Sequence, residues 1–140
     1  IVKENFNEPF LVLNGDILTD INFHDLWEYH INKKSDFTLV TKVIKMPLHY
    51  GVVKYKNNIV KSLTEKPVIK AEVNAGIYFM SPIVLQYIPK NITFSMTDLI
   101  NKLMNEKKRV INFTHHGYWL DIGQMENYEQ AKQDIEKGII

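Results

Sequence analysis

The sequence predicts an α/β fold in which a mixed, mostly parallel sheet is flanked by helices, and three features lead there. Phe10-Leu11-Val12-Leu13 is a short, wholly apolar run that ends on Asn14-Gly15-Asp16. That is the pattern of a buried strand whose polar tip lies at the carboxyl edge of a sheet. Asn22 then stands where it would cap a helix with Phe23, Leu26, Trp27 and Ile31 on one face. Phe37 to Ile44 is rich in β-branched residues and reads as the next strand. A strand–helix–strand order implies parallel strands joined by a right-handed crossover.

The following elements extend this plan. Gly51 to Tyr55 and Ile59 to Leu63 flank Lys56-Asn57-Asn58 and read as a hairpin, which makes the sheet mixed. Pro67 stops the second arm, and Asn74 to Met80 is another strand. Ser81-Pro82 opens a short helix, with proline where no amide hydrogen is needed. Ser95 and Asp98 have the spacing of a capping box, followed by a helical stripe of Met96, Leu99, Ile100, Leu103 and Met104. Arg109 to Phe113 is a late strand. Met125, Tyr128, Ala131 and Ile135 share one face of a closing helix. With no internal repeat, low-complexity tract or linker, residues 1–140 read as one α/β unit.

Composition narrows the function classes. Of 140 residues, 17 are Lys or Arg and 16 are Asp or Glu, a net charge of +1. That balance gives no electrostatic footprint for nucleic acid or an anionic membrane. No apolar run approaches the roughly 20 residues needed to span a bilayer. Ile1 to Pro9 is polar and mixed, unlike a signal peptide. The absence of Cys excludes disulfides and thiolate metal sites and is compatible with the reducing cytoplasm, the expected location. The chain starts on Ile1 rather than Met; processing or a start inside a longer protein would account for this, and the motifs favour the second.

Three segments carry candidate chemistry. Asp16 ends a buried strand, where open α/β sheets bind ligands, and Gly15 beside it would let a ligand approach the backbone. A hard cation such as Mg²⁺ is commonly held by one or two carboxylates plus substrate phosphates; alternatively, Asp16 only begins a polar loop. Asp121 is surrounded by Trp119, Leu120 and Ile122. Such an acid is costly to bury unless it is paired or holds a metal, or else it caps the helix beginning near Gln124. In Glu65-Lys66-Pro67, Lys66 could neutralise a phosphate and Glu65 could accept hydrogen bonds from hydroxyls; the alternative is a solvated hairpin end. Tyr50-Gly51 and Asn74-Ala75-Gly76 each place a glycine beside a polar or aromatic group at a strand edge. His115 and His116 point to opposite sides of a strand and read as structural or surface residues.

In chain order, Leu11 to Asp16, Tyr50 to Val53, Leu63 to Pro67, Asn74 to Tyr78, and Trp119 to Gly123 with Tyr128 and Ala131 resemble the sugar-1-phosphate nucleotidyltransferases. This family makes nucleotide-sugars and includes guanylyl- and thymidylyltransferases acting on hexose 1-phosphates. The resemblance runs from about Pro9 to the last helix. It implies a Rossmann-like fold of the nucleotide-diphospho-sugar transferase type. It also implies Asp16 and Asp121 as the metal-binding aspartates, Glu65 at sugar hydroxyls and Lys66 at the sugar phosphate. Tyr50, Gly51, Asn74 and Gly76 would line the sugar pocket. The implied reaction is attack by a sugar 1-phosphate on the α-phosphorus of a nucleoside triphosphate, assisted by Mg²⁺, with release of pyrophosphate.

One departure is as informative. Family members open with a Gly-rich loop bearing Arg and Lys that cradles the triphosphate, and the six glycines here form no such cluster. The expectation is therefore the C-terminal, sugar- and metal-binding part of a nucleotidyltransferase domain, inactive alone and prone to self-association through uncovered sheet edge and apolar surface. Gln124-Met125-Glu126 further resembles bacterial members that transfer guanylyl groups in polysaccharide precursor synthesis. The competing readings are a non-catalytic regulatory or assembly subunit, a metal-dependent glycosyltransferase, and a plain binding module. The last is favoured only if Asp16 and Asp121 lie far apart.

Overall fold

The computed structural model describes residues 6–140; the first five residues of the polar N-terminal segment lie outside the described part. The central sheet has four strands, β1 (Phe10–Leu13), β3 (Phe37–Pro47), β6 (Val68–Met80) and β7 (Val110–His115), in the order β1-β6-β3-β7. β6 runs antiparallel to both β1 and β3, and β3 runs parallel to β7. Three of the four strands thus point one way, but of the three pairings only β3–β7 is parallel, so the sheet is mixed. β1 and β3, on either side of α1 (Phe23–Asn32) in the chain, are not neighbours, however, because β6 inserts between them.

This insertion also corrects the source of the mixed character. β4 (Val52–Lys56) and β5 (Ile59–Thr64) form the expected hairpin, but as a separate two-stranded sheet. Asn57 and Asn58 take φ of 50° and 62°, the left-handed pair of a two-residue type I′ turn. β6 begins six residues before the expected Asn74, because Val68 to Asn74 pairs with a longer β3 from Thr41 to Pro47. A third small sheet pairs β2 (Ile17–Thr19) with β8 (Trp119–Asp121).

Side-chain alternation along the strands makes two cores, one on each sheet face. Ile21, Leu26, Val40, Ala75, Ile77 and Phe79 form one beneath α1. Phe37, Tyr78, Met80, Val84, Leu99 and Leu103 form the other. The second is covered by a short 3₁₀ helix, Pro82–Tyr87, and by α2 (Met96–Asn105). Ser95 and Asp98 close the expected capping box, and Asn22 caps α1 through its side-chain oxygen.

Two helices face the core differently from their apolar periodicity. Phe23, Trp27 and Ile31 of α1 are exposed, and Leu26 and His30 are the buried pair. In α3 (Met125–Glu136), Met125, Tyr128 and Ile135 are exposed while Ala131 and Asp134 are buried. The reason is the same in both. His30 is held by the Thr38 and Ser81 hydroxyls at 2.9 and 3.0 Å. Asp134 accepts hydrogen bonds from Tyr118 and Gln130 at 2.8 and 2.7 Å. A polar group whose partners are supplied can occupy an inward position without the usual desolvation cost. Among the described residues, no helix is long and apolar enough to cross a membrane.

Candidate active site

The β2–β8 ribbon assembles the two aspartates. Asp16 immediately precedes β2 and Asp121 ends β8, opposite Ile17. The Ile122 amide donates to the Asp16 carbonyl at 2.8 Å, which extends the ladder past the paired residues. β8 is tied to the main sheet by Trp119, whose indole nitrogen donates to the Ala75 carbonyl at 2.9 Å. Asn127 on α3 donates to the Asp121 carbonyl at 2.7 Å.

Gly123 makes the meeting of the carboxylates possible. A Cβ on Gly123 would lie 3.1 Å from Asp121 Oδ1 and 3.1 Å from Asp16 Oδ2. Both oxygens therefore border one small volume, no farther apart than twice that distance, which the missing side chain leaves clear. Asp16 is exposed and Asp121 half-buried. Among the described residues, no third His, Cys, Asp or Glu completes a metal cage. Two carboxylate oxygens beside an open volume fit a hard divalent cation that takes its remaining ligands from water and substrate phosphates. The alternative role of Asp121 as a helix cap does not apply. Its Oδ1 accepts from the Gly123 amide at 2.9 Å, and the N-cap of α3 is Gln124.

The Asn14 amide donates to the Gly76 carbonyl at 2.9 Å, beside Asp16. Gly76 has φ of +72°, and a Cβ there would meet the Asn14 side-chain nitrogen at 2.8 Å. Glycine is required on both counts. Gly76 sits at a register shift opposite Leu39 to Thr41, where β6 bulges. Asn74 is exposed, yet its side chain is engaged: Oδ1 accepts from the Gly76 amide at 3.0 Å and Nδ2 donates to the Tyr78 hydroxyl at 2.8 Å. Gly15 has open space around it.

The hairpin end forms a third group. Beyond the Val52–Thr64 pair, Gly51 lies against Glu65, and a Cβ on Gly51 would meet Glu65 Oε2 at 2.8 Å. Tyr50 next to it is largely exposed. Lys66 takes φ of 43°, a left-handed conformation unusual for a side-chain-bearing residue and further crowded by Pro67. Such local strain clusters at ligand-handling positions. Among the described residues Lys66 makes no ion pair. The Leu48 amide donates to the Pro67 carbonyl at 2.9 Å, which fixes the base of the hairpin at the start of β6.

The sequence-predicted residues thus fall into three groups: Asp16 with Asp121, Gly51 with Glu65 and Lys66, and Asn74 with Gly76. β6 connects the last two. Gly123, Asn14, Asn127 and Trp119 complete the arrangement. Of these, Asn14, Trp119 and Gly123 lie in segments the sequence had singled out, whereas Asn127 carried no signal. His115 is structural, as its sequence setting suggested, with Nε2 3.0 Å from the Tyr118 carbonyl.

The family profile described as nucleotidyl transferase matches residues 1–138. The mannose-1-phosphate guanylyltransferase catalytic subunit beta of Drosophila melanogaster is 34% identical over 125 residues, covering 87% of this chain and 34% of that protein. Mannose-1-phosphate guanyltransferase 2 of Candida glabrata is 32% identical over 133 residues, 91% of this chain and 36% of that protein. The chain spans about a third of the length of these curated relatives, which are eukaryotic rather than bacterial. Among solved structures, a Bacillus anthracis protein assigned as a glucose-1-phosphate thymidylyltransferase, complexed with a sucrose, superposes with a TM-score of 0.67 at 20% identity. It covers 92% of this chain and 55% of that one. HddC from Yersinia pseudotuberculosis gives 0.63 at 23% identity, over 91% and 56%. These neighbours share the nucleotide-diphospho-sugar transferase fold, and the chain belongs to the nucleotidyl transferase family.

Proposed function

We propose that this chain is the sugar-phosphate- and metal-binding part of a sugar-1-phosphate nucleotidyltransferase domain that transfers a guanylyl group from GTP to a hexose 1-phosphate. The single observation that carries the proposal is the meeting of Asp16 and Asp121 at the volume left clear by Gly123. Guanylyl transfer to mannose 1-phosphate is supported by the names of the curated relatives. The preferred cation is Mg²⁺, for which oxygen donors and an incomplete protein cage are appropriate. Supply of nucleoside triphosphates favours a cytoplasmic location. Association with a further subunit is supported by the words "catalytic subunit beta" in the name of the Drosophila relative.

In the proposed reaction an oxygen of the sugar 1-phosphate attacks the α-phosphorus of the triphosphate, and the bond to the leaving pyrophosphate breaks. When bound, the divalent cation neutralises charge on the reacting phosphates and orients them. Asp16 and Asp121 would hold it, with Asp121 oriented by the Gly123 amide. Lys66, projecting from a fixed backbone, contributes a positive charge to the sugar phosphate. Glu65, seated against Gly51, accepts hydrogen bonds from sugar hydroxyls, and Tyr50 flanks the ring. Asn74 and Gly76 shape the pocket floor beside Asn14. No side chain acts as nucleophile; the chemistry rests on positioning and charge neutralisation.

The test is pyrophosphate release with Mg²⁺, four nucleoside triphosphates and a panel of hexose 1-phosphates. It compares the chain with a form extended to the length of its curated relatives. Activity with GTP and mannose 1-phosphate, confined to the extended form and reduced about 100-fold or more by Asp121→Asn, supports the proposal. A folded extended form that releases no pyrophosphate with any pair favours a regulatory subunit instead.

A further inference from the structure

We infer that Asp20, His115 and Gly117 form a latch that fixes the register of the β2–β8 ribbon and so act as positioning residues for Asp16 and Asp121. The inference rests on the proposed reading of those aspartates as a shared cation site. The ribbon itself contains three residue pairs, Ile17–Asp121, Leu18–Leu120 and Thr19–Trp119. With a side-chain period of two, a slip of one residue would turn Asp121 to the opposite face. So short a ladder specifies its register weakly, and contacts outside it must supply the rest.

Ile122 and Asn127 supply one backbone and one side-chain bond at the aspartate end, and a second, side-chain-rich set lies at the opposite end, about 13 Å along the strand. The Tyr118 carbonyl accepts from the Thr19 hydroxyl at 2.9 Å and from the Asp20 amide at 3.3 Å. His115 Nε2 lies 2.9 Å from Asp20 Oδ1. His115 is almost covered, whereas the Asp20 side chain is about half exposed. The Asp20 carboxyl is held below its ordinary range, first by the Tyr118 backbone amide and then by His115. Gly117 completes the latch because the Asp20 carboxylate rests against its Cα. A Cβ there would collide with the whole carboxylate, with Oδ2 at 2.7 Å. The Gly117 carbonyl also accepts from Lys42 on β3, which anchors the turn to the central sheet. The Asp20 carboxylate thus joins the end of β2 to β7 and to the turn before β8, and Lys42 ties that turn to β3.

The crowding at Gly117 comes from the Asp20 side chain, and this gives the proposal a test that general destabilisation cannot imitate. Amide hydrogen exchange is measured by NMR for the chain, for Asp20→Ala, for Gly117→Ala and for the double variant. Ribbon amides (Leu18, Leu120, Ile122) are compared with sheet amides (Ile77, Phe79). Mn²⁺-induced broadening of the Gly123 amide is followed in parallel. Each single variant should speed ribbon exchange roughly 5- to 10-fold, leave the sheet amides unchanged and raise the Mn²⁺ concentration needed for broadening. The double variant should be no worse than Asp20→Ala, since the collision partner is gone. Additive effects in the double variant, equal acceleration of ribbon and sheet, or an unchanged ribbon would each overturn the latch. Absence of Mn²⁺ broadening in the unaltered chain would overturn the cation reading, and the exchange rates would then judge the latch alone.

Discussion

Asp16 Oδ2 and Asp121 Oδ1 each lie 3.1 Å from the point that a Cβ on Gly123 would occupy. Residues 105 positions apart in sequence are therefore brought to one point by a three-pair ribbon, and a glycine keeps that point clear. The ladder hydrogen bond from Ile122 to Asp16 holds the backbones while the carboxylates remain available for a ligand.

Gly123→Ala should consequently damage cation binding more than folding. Gly123 lies outside the left-handed region, so alanine is tolerated by the backbone. Its methyl would crowd both carboxylates. A stability change within about 1 kcal/mol by urea denaturation, with Mn²⁺ affinity falling roughly 10- to 100-fold, is the expected pair of results. Loss of stability with unchanged affinity would contradict it.

Lys66→Gly should separate stability from function in the opposite sense. Relief of the left-handed conformation is expected to stabilise the chain by about 1 kcal/mol. Loss of the charge should raise the KM for the sugar 1-phosphate at least roughly tenfold in the extended form. Thermal denaturation and steady-state kinetics of the one variant measure both.

His30 makes stability pH-dependent. Burial lowers its folded pKa below the ordinary 6.5, with nearby Asp36 opposing. The unfolded chain therefore binds more protons in the window between the folded pKa and 6.5. Stability should fall as pH drops through that window and level off below it. Urea midpoints from pH 7.5 to 5.5 should show this decline, and His30→Gln should flatten it. An equal decline in the variant would assign the effect to another group.

Tyr118 is pushed up to about 12, mainly by burial and then by its hydrogen bond to Asp134. Ultraviolet titration should find a late step at about 12 that belongs to Tyr118. Tyr118→Phe should remove that late step and cost about 1 kcal/mol. Asp134 then keeps only Gln130 of its two side-chain donors. A late step that persists in Tyr118→Phe would contradict its assignment to this hydrogen bond.

The strand that leads toward Asp16 and the one bearing Asn74 were legible because strands leave apolar runs with polar ends, and Asn22 and Ser95 were legible because capping has fixed spacing. β2 and β8 were not, since three residues carry no period. The insertion of β6 between β1 and β3 was also hidden, because strand order depends on pairing partners distant in sequence. On α1 and α3 the apolar stripe misled for a definite reason. His30 and Asp134 take inward positions because Thr38, Ser81, Tyr118 and Gln130 satisfy them, and no local pattern announces partners so far away. Asp121 was legible as an acid in apolar company. Its partnership with Asp16 across Gly123 appears only when the ribbon is folded.

The most direct measurement of a shared cation site is Mn²⁺ binding followed by electron paramagnetic resonance in the presence of a guanosine diphosphate sugar. One Mn²⁺ per chain is expected, with binding lost both in Asp16→Asn and in Asp121→Asn while circular dichroism shows each variant folded. Retention of the same Mn²⁺ stoichiometry and affinity in either variant would contradict the shared site.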